Sequence, residues 1–165
     1  MDNKAANILA DAFESVRNLT KLYFSKLDDK NYYDENNING VKINTAFWLL
    51  AHLVWTEHSL IVYGIGNREM EIPWLDKYAF GSDPGSIESQ PSLEELRDKF
   101  EKVHALAMEI IRNLSDEQLE EDNHIGASFG SSKSKKSLLV HVIRHEPMHI
   151  GQLSLILKSN GVKLT

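Results

Sequence analysis

Apolar side chains recur every three or four positions along four long stretches of this chain, and no stretch alternates at period two for long enough to suggest a sheet. That pattern predicts an all-α fold. The first stretch covers residues 2–27, with Leu9, Ala12, Val16, Leu19, Tyr23 and Leu27 on one stripe and Ile8, Phe13 and Phe24 beside it. Residues 28–40 are polar, rich in Asn and Asp, and read as a loop. The second stretch starts near Asn44 or Thr45, either of which can cap a helix, and runs to Gly64-Ile65-Gly66, where glycine can supply a left-handed stop. Across residues 46–54 it is apolar on nearly every face except at His52, so it should be the most buried helix.

A long connection follows, residues 67–91, with Pro73, Pro84, Pro91 and a turn-forming cluster of glycine and serine around Asp83. A crossover of that length covers something or spans the end of a domain. It also suggests that helices two and three are not simple antiparallel neighbours. The third stretch opens with Ser92-Leu93-Glu94-Glu95, a capping box, and carries the stripe Leu93, Leu96, Phe100, Val103, Ala107, Ile110 and Leu114. Ser115-Asp116-Glu117-Gln118 starts a short further helix by the same device. Residues 125–136 form a Gly/Ser/Lys loop, and the fourth helix spans residues 137–159, ended by Asn160-Gly161. With no internal repeat, residues 1–165 read as one domain, a four-helix bundle with a long crossover connection between helices 2 and 3.

Composition then removes whole classes of function. There is no cysteine, hence no disulfide framework, thiolate zinc site, iron–sulfur cluster or cysteine nucleophile. A net charge of −6 argues against a nucleic-acid partner, which needs a basic footprint. Met1-Asp2-Asn3-Lys4-Ala5 lacks the charged-then-apolar order of a signal peptide, and the apolar run before Glu57 and His58 is too short to span a membrane. A cytoplasmic location is the expectation. Gly126 and Gly130 fail as a phosphate-binding loop, because three residues separate them and Ser131 stands where lysine is needed. Any metal must be held by histidine and carboxylate.

Seven histidines occur, and His141, His145 and His149 fall four residues apart on the last helix, so they project along one face. Leu138, Gln152 and Ile156 continue that stripe, which turns the row inward or to the margin of the core. A single histidine on an apolar face is more often a satisfied core residue than a ligand. A pair at i and i+4 is another matter, because a shared metal would give both rings a partner and fix their tautomers. His52, the strongly polar residue within the apolar run of helix two, is the candidate third ligand. Three nitrogens plus open positions is the pattern of a catalytic metal site, and imidazole suits zinc, nickel and iron alike. His141 is a reserve ligand or supports its neighbour. His58, His104 and His124 read as surface or rim residues. Trp48 and Trp55 flank His52 and either line a pocket mouth or pack in the core. Lys133, Lys135 and Lys136 read as a solvated loop.

The run from His141 to Leu153, with His145-Glu146-Pro147-Met148-His149 followed by Gly151-Gln152, resembles the last-helix signature of the DinB-like family, and Ala51-His52-Leu53 fits its second-helix histidine. The resemblance covers essentially the whole chain. It implies a metal-binding four-helix bundle in which His52, His145 and His149 hold a divalent ion, be it zinc, nickel or iron. The family includes thiol-dependent transferases beside members with no known activity, so the resemblance does not reach a substrate. The enzyme reading is a metal-dependent S-transferase that joins a low-molecular-weight thiol to a small electrophilic substrate, or a hydrolase. The alternative is a non-enzymatic, metal-binding or stress-related bundle that works through partners, as in a homodimer. Pro147 departs from a regular helix, since it removes an amide donor and crowds the Ile143 carbonyl.

His145-Glu146-Pro147-Met148-His149 also satisfies the zinc-protease pattern H-E-x-x-H. The extended form of that motif needs glycine and histidine where Gln152 and Leu155 stand, and no Asp or Glu follows Glu146. The protease reading lacks its third ligand. Glu146 itself reads as an exposed carboxylate or one that supports the site.

Overall fold

The computed structural model describes residues 3–82 and 90–163. Within them the chain is all-α apart from one small hairpin. Helix α1 spans Lys4–Phe24, α2 Ala46–Glu57, α3 Leu93–Arg112, α4 Asp116–Glu120 and α5 Lys135–Ser159. Helices α3 and α5 each pack against both α1 and α2, and one apolar cluster from all four fills the space between them. Helix α2 is buried along almost its whole length, as its unbroken apolar run demands.

The helix starts follow the capping chemistry. The Thr45 hydroxyl accepts the Trp48 amide at 3.1 Å, and Ser115 and Gln118 close a reciprocal box at α4. At α3 only half of the expected box forms. Ser92 accepts the Glu95 amide, while the Glu95 carboxylate accepts the Trp74 indole N–H at 2.8 Å. Ser134 caps α5, which therefore begins two residues before the position expected from sequence. The α5 helix runs through Pro147, and Gly161, at φ +74°, ends it in the left-handed conformation.

Three expectations need correction. The buried face of α1 is Ala6, Ala10, Phe13, Arg17, Thr20 and Phe24, whereas Leu19 is 44% exposed and Ile8 69% exposed. The helix is rotated from the apolar stripe because Arg17 and Thr20 find ionic and hydrogen-bonding partners inside. Glycine does not stop α2 in the left-handed region. The helix widens instead into a π-helical segment, His58–Tyr63, and the left-handed residue is Asn67 at φ +48°. Gly66 is needed for close approach, since a β-carbon there would lie 2.6 Å from Ile110 Cδ1 on α3. Within the polar loop, strands β1, Asn36–Ile38, and β2, Val41–Ile43, pair antiparallel across Asn39-Gly40, both at positive φ. Strands of three residues are too short to betray a period of two.

The long connection returns over α2, where its single-turn 3-10 helix, Leu75–Tyr78, packs. Helices α2 and α3 are direct packing neighbours despite its length. The turn expected around Asp83 and Pro84, and the expected helix start at Asp2, lie outside the described residues. Among the described residues no helix is long and apolar enough to cross a membrane.

Candidate metal centre

The site forms where α2 and α5 face each other. Its first member, His52, sits on the most apolar helix and is only 2% exposed. Its Nδ1–H donates to the Tyr78 carbonyl at 2.8 Å, which leaves the lone pair on Nε2. Trp48 and Trp55, four residues before and three after, lie nearly parallel to the ring, at 11° and 18°. Both indoles also line the adjoining cavity, so packing and pocket lining are here one role.

From α5, His145 and His149 point at the same place. One nitrogen of each of His52, His145 and His149 lies within 4.8 Å of the others, and among the described residues this is the group able to hold a metal ion. His149 Nδ1–H donates to Gln152 Oε1 at 2.9 Å, again leaving Nε2 bare. The Nε2 atoms of His145 and His149 are 3.1 Å apart. His145 Nδ1 is buried without a hydrogen-bond partner. If its proton is on Nδ1, a buried donor is orphaned and two lone pairs face each other. If its proton is on Nε2, a buried Nδ1 acceptor is orphaned. A cation shared by the Nε2 lone pairs removes that repulsion, so the donor set fits a metal ion.

Electrostatics point the same way. Burial lowers His52 to about 4 despite the Tyr78 carbonyl, with His149 adding to the effect. His145 falls to about 3, first through burial and then through its three histidine neighbours. Burial also lowers His149. All three rings are therefore neutral at pH 7, the state in which imidazole binds a metal.

His141 lines the same cavity but is not in the close group. Its ring stacks on Phe129, and Arg144 reaches its Nδ1 at 3.3 Å. The cavity holds about 650 Å³ and lies between α2, α5 and residues 80–82 of the long connection, so that connection does cover something.

Glu146 does not face the histidines. It is 1% exposed on the core side of α5, where Arg17 Nε and Nη2 each donate to it at 3.0 Å and Thr20 donates its hydroxyl. The same guanidinium reaches Glu57 at 2.6 Å, and His104 Nδ1 lies 2.7 Å from the other Glu57 oxygen. Burial works against the Arg17 charge, and Glu57 and Glu146 more than offset it, so its pKa is raised. This buried cluster joins α1, α2, α3 and α5. The sequence reading placed Glu146 at the surface or beside the site, and charged residues on a helix usually do face water. The signal available was a pair of carboxylates and an arginine on faces otherwise apolar.

His58 and His104 are likewise buried, at 9% and 5% exposure, contrary to the surface reading. His58 Nε2 accepts the Met70 amide, so each ring has a polar partner inside. His124 is exposed, as expected. Of the loop lysines, Lys135 is buried and paired with Glu121 at 2.7 Å, because it lies in the first turn of α5 rather than in the loop.

A family model described as the DinB superfamily matches residues 9–153. No curated protein matches the chain.

Proposed function

The chain belongs to the DinB superfamily, and on that premise we propose that it is a divalent-metal-dependent enzyme that transfers the sulfur of a low-molecular-weight thiol to a small electrophile. His52, His145 and His149 are the ligands in this reading, and zinc, nickel or iron satisfies them. The helices are the core of a four-helix bundle formed by residues 1–165, with the long connection as its crossover, working in the cytoplasm. One observation carries the proposal. Three neutral imidazoles, His52 buried and His145 and His149 half-buried, converge at a cavity large enough for a small molecule, and two of them have their Nδ1 protons engaged elsewhere.

The cation, when bound, supplies a Lewis acid that lowers the pKa of a coordinated thiol or water. Everything else falls to the chain. Tyr78 and Gln152 hold the tautomers of His52 and His149. The indoles of Trp48 and Trp55 fix the His52 plane and, with Phe129, help wall the cavity. In the transfer the S–H bond breaks and its proton passes to water. The sulfur forms a bond to the electrophilic carbon, and the bond from that carbon to its leaving group breaks, the electron pair departing with the leaving group. With no cysteine in the chain, that sulfur comes from outside. The protease alternative has no support here, because Glu146 is committed to Arg17 and Thr20 in the core.

The test is metal content after purification, repeated on His52→Ala and His149→Ala. Both variants should lose the metal, and full occupancy in either removes that residue from the site. A thiol-dependence assay with electrophilic substrates follows, and a metal-loaded protein that turns over with no thiol removes the transferase reading.

A further inference from the structure

The cavity beside the histidines has a chemical character of its own. Trp48, Trp55, Leu60, Phe80, Phe129 and Met148 supply the large apolar side chains of its wall, and no Asp, Glu, Lys or Arg is among the described residues that line it. That is a marked gap in a chain of which a quarter is charged. Arg144 reaches His141 but is not itself a lining residue. At the rim two large apolar side chains stand in water, Phe80 at 86% exposure from the long connection and Met148 at 65% from α5. Apolar side chains left exposed around a cavity mark a ligand site.

Charge then decides between ligands. An anionic group carried into this chamber loses water and meets no fixed positive side chain, which is costly without a partner. A flat uncharged ring system loses little and gains contact with the indole and phenyl walls.

We propose that this chamber selects a small molecule whose body is uncharged and aromatic, and that it discriminates against the same body bearing a carboxylate or sulfonate. The inference rests on the preceding reading only for the use to which that molecule is put. The walls belong to the fold, so the selectivity is that of the metal-free chamber, and a cation on the three lining histidines would add a positive charge beside it and narrow the discrimination.

The experiment titrates metal-stripped and metal-loaded protein with N-phenyl-1-naphthylamine and with its sulfonated analogue 8-anilino-1-naphthalenesulfonate. Probe emission and tryptophan quenching report binding. The uncharged dye should bind the metal-stripped protein at least about tenfold more tightly. Greater apolarity alone could give that ratio, so Met148→Lys supplies the decisive arm by placing a cation at the mouth. It should tighten the sulfonated dye about tenfold and change the uncharged dye by less than about threefold. Equal binding of the two dyes to the metal-stripped wild type, or no gain for the sulfonate in metal-stripped Met148→Lys, overturns the inference. So does a wild-type dimer that Met148→Lys dissociates in size-exclusion chromatography, because the rim would then belong to a second copy. Metal content measured on the same samples separates the two readings. Dye selectivity in a protein that takes up no metal sinks the proposed function alone, and metal uptake by a protein whose stripped form shows no selectivity sinks this inference alone.

Discussion

Replacing Arg17 by methionine tests the buried ionic cluster most directly. The guanidinium is fully buried, bidentate to Glu146 and 2.6 Å from Glu57, and it lies over the Phe100 ring at 4.0 Å. Methionine keeps much of the aliphatic volume and removes the charge, so Glu57 and Glu146, each 1% exposed, lose their cation. Breaking a buried pair by removing one partner costs about 3–5 kcal/mol, set by the charge left behind rather than by the lost bonds. For a domain of this size each kcal/mol moves the melting temperature by roughly 2–4 °C, so Tm should fall by about 6–20 °C. Urea unfolding of metal-free protein at pH 7, followed by far-UV circular dichroism, measures the loss as a shift in midpoint. A companion variant combines Arg17→Met with Glu57→Gln and Glu146→Gln, and it should recover more than half of the deficit because no uncompensated charge remains. A loss below about 1 kcal/mol for Arg17→Met alone, the range of an exposed pair, would refute the claim that this cluster ties the helices together.

Other outcomes follow from single contacts. Gln152→Ala removes the acceptor of the His149 Nδ1 proton while the residue itself is exposed; metal affinity, read by competition with a chromophoric chelator, should drop about 10–100-fold with Tm of the metal-free protein unchanged. Gly66→Ala sets a methyl group against Ile110 and should cost about 1–3 kcal/mol in urea unfolding. The pH dependence has a definite sign. His52 titrates at about 4 when folded against 6.5 unfolded, so between those values the unfolded chain holds more protons. Stability of the metal-free protein should therefore decline as pH falls from 6.5 toward 4, by on the order of 3 kcal/mol from this group, with His145 acting in the same direction. In His52→Phe the decline should be shallower, and an unchanged slope would count against the assignment.

Legibility in the sequence followed how far a residue's partner lies along the chain. Helices α2, α3 and α5 were readable because their apolar periods and caps are local, and His145 and His149 were readable because an i, i+4 step is fixed by helix geometry. His52 stood out as a polar residue where an apolar one would serve. What sequence could not supply was the rotation of α1. Arg17 and Thr20 face inward only because Glu146, more than a hundred residues away, needs them. His104 and His58 were misplaced for the same reason, since their partners Glu57 and Met70 lie on other segments. Gln152 was visible in its motif, yet its bond to His149 is a geometric fact.

The bond from His52 to the Tyr78 carbonyl links the candidate metal centre to the long connection between α2 and α3. Tyr78 closes the single-turn helix of the long connection, and two residues later Phe80 begins the segment that walls the cavity. A cation on His52 and an occupant of the cavity would thus act on one short piece of backbone from its two ends. By thermodynamic linkage, whatever steadies that piece for one steadies it for the other, and the gain in affinity is the same in both directions. An amide such as that of Ala79, hydrogen-bonded to the Asp76 carbonyl at 3.2 Å, then becomes a reporter that should exchange more slowly when either is bound.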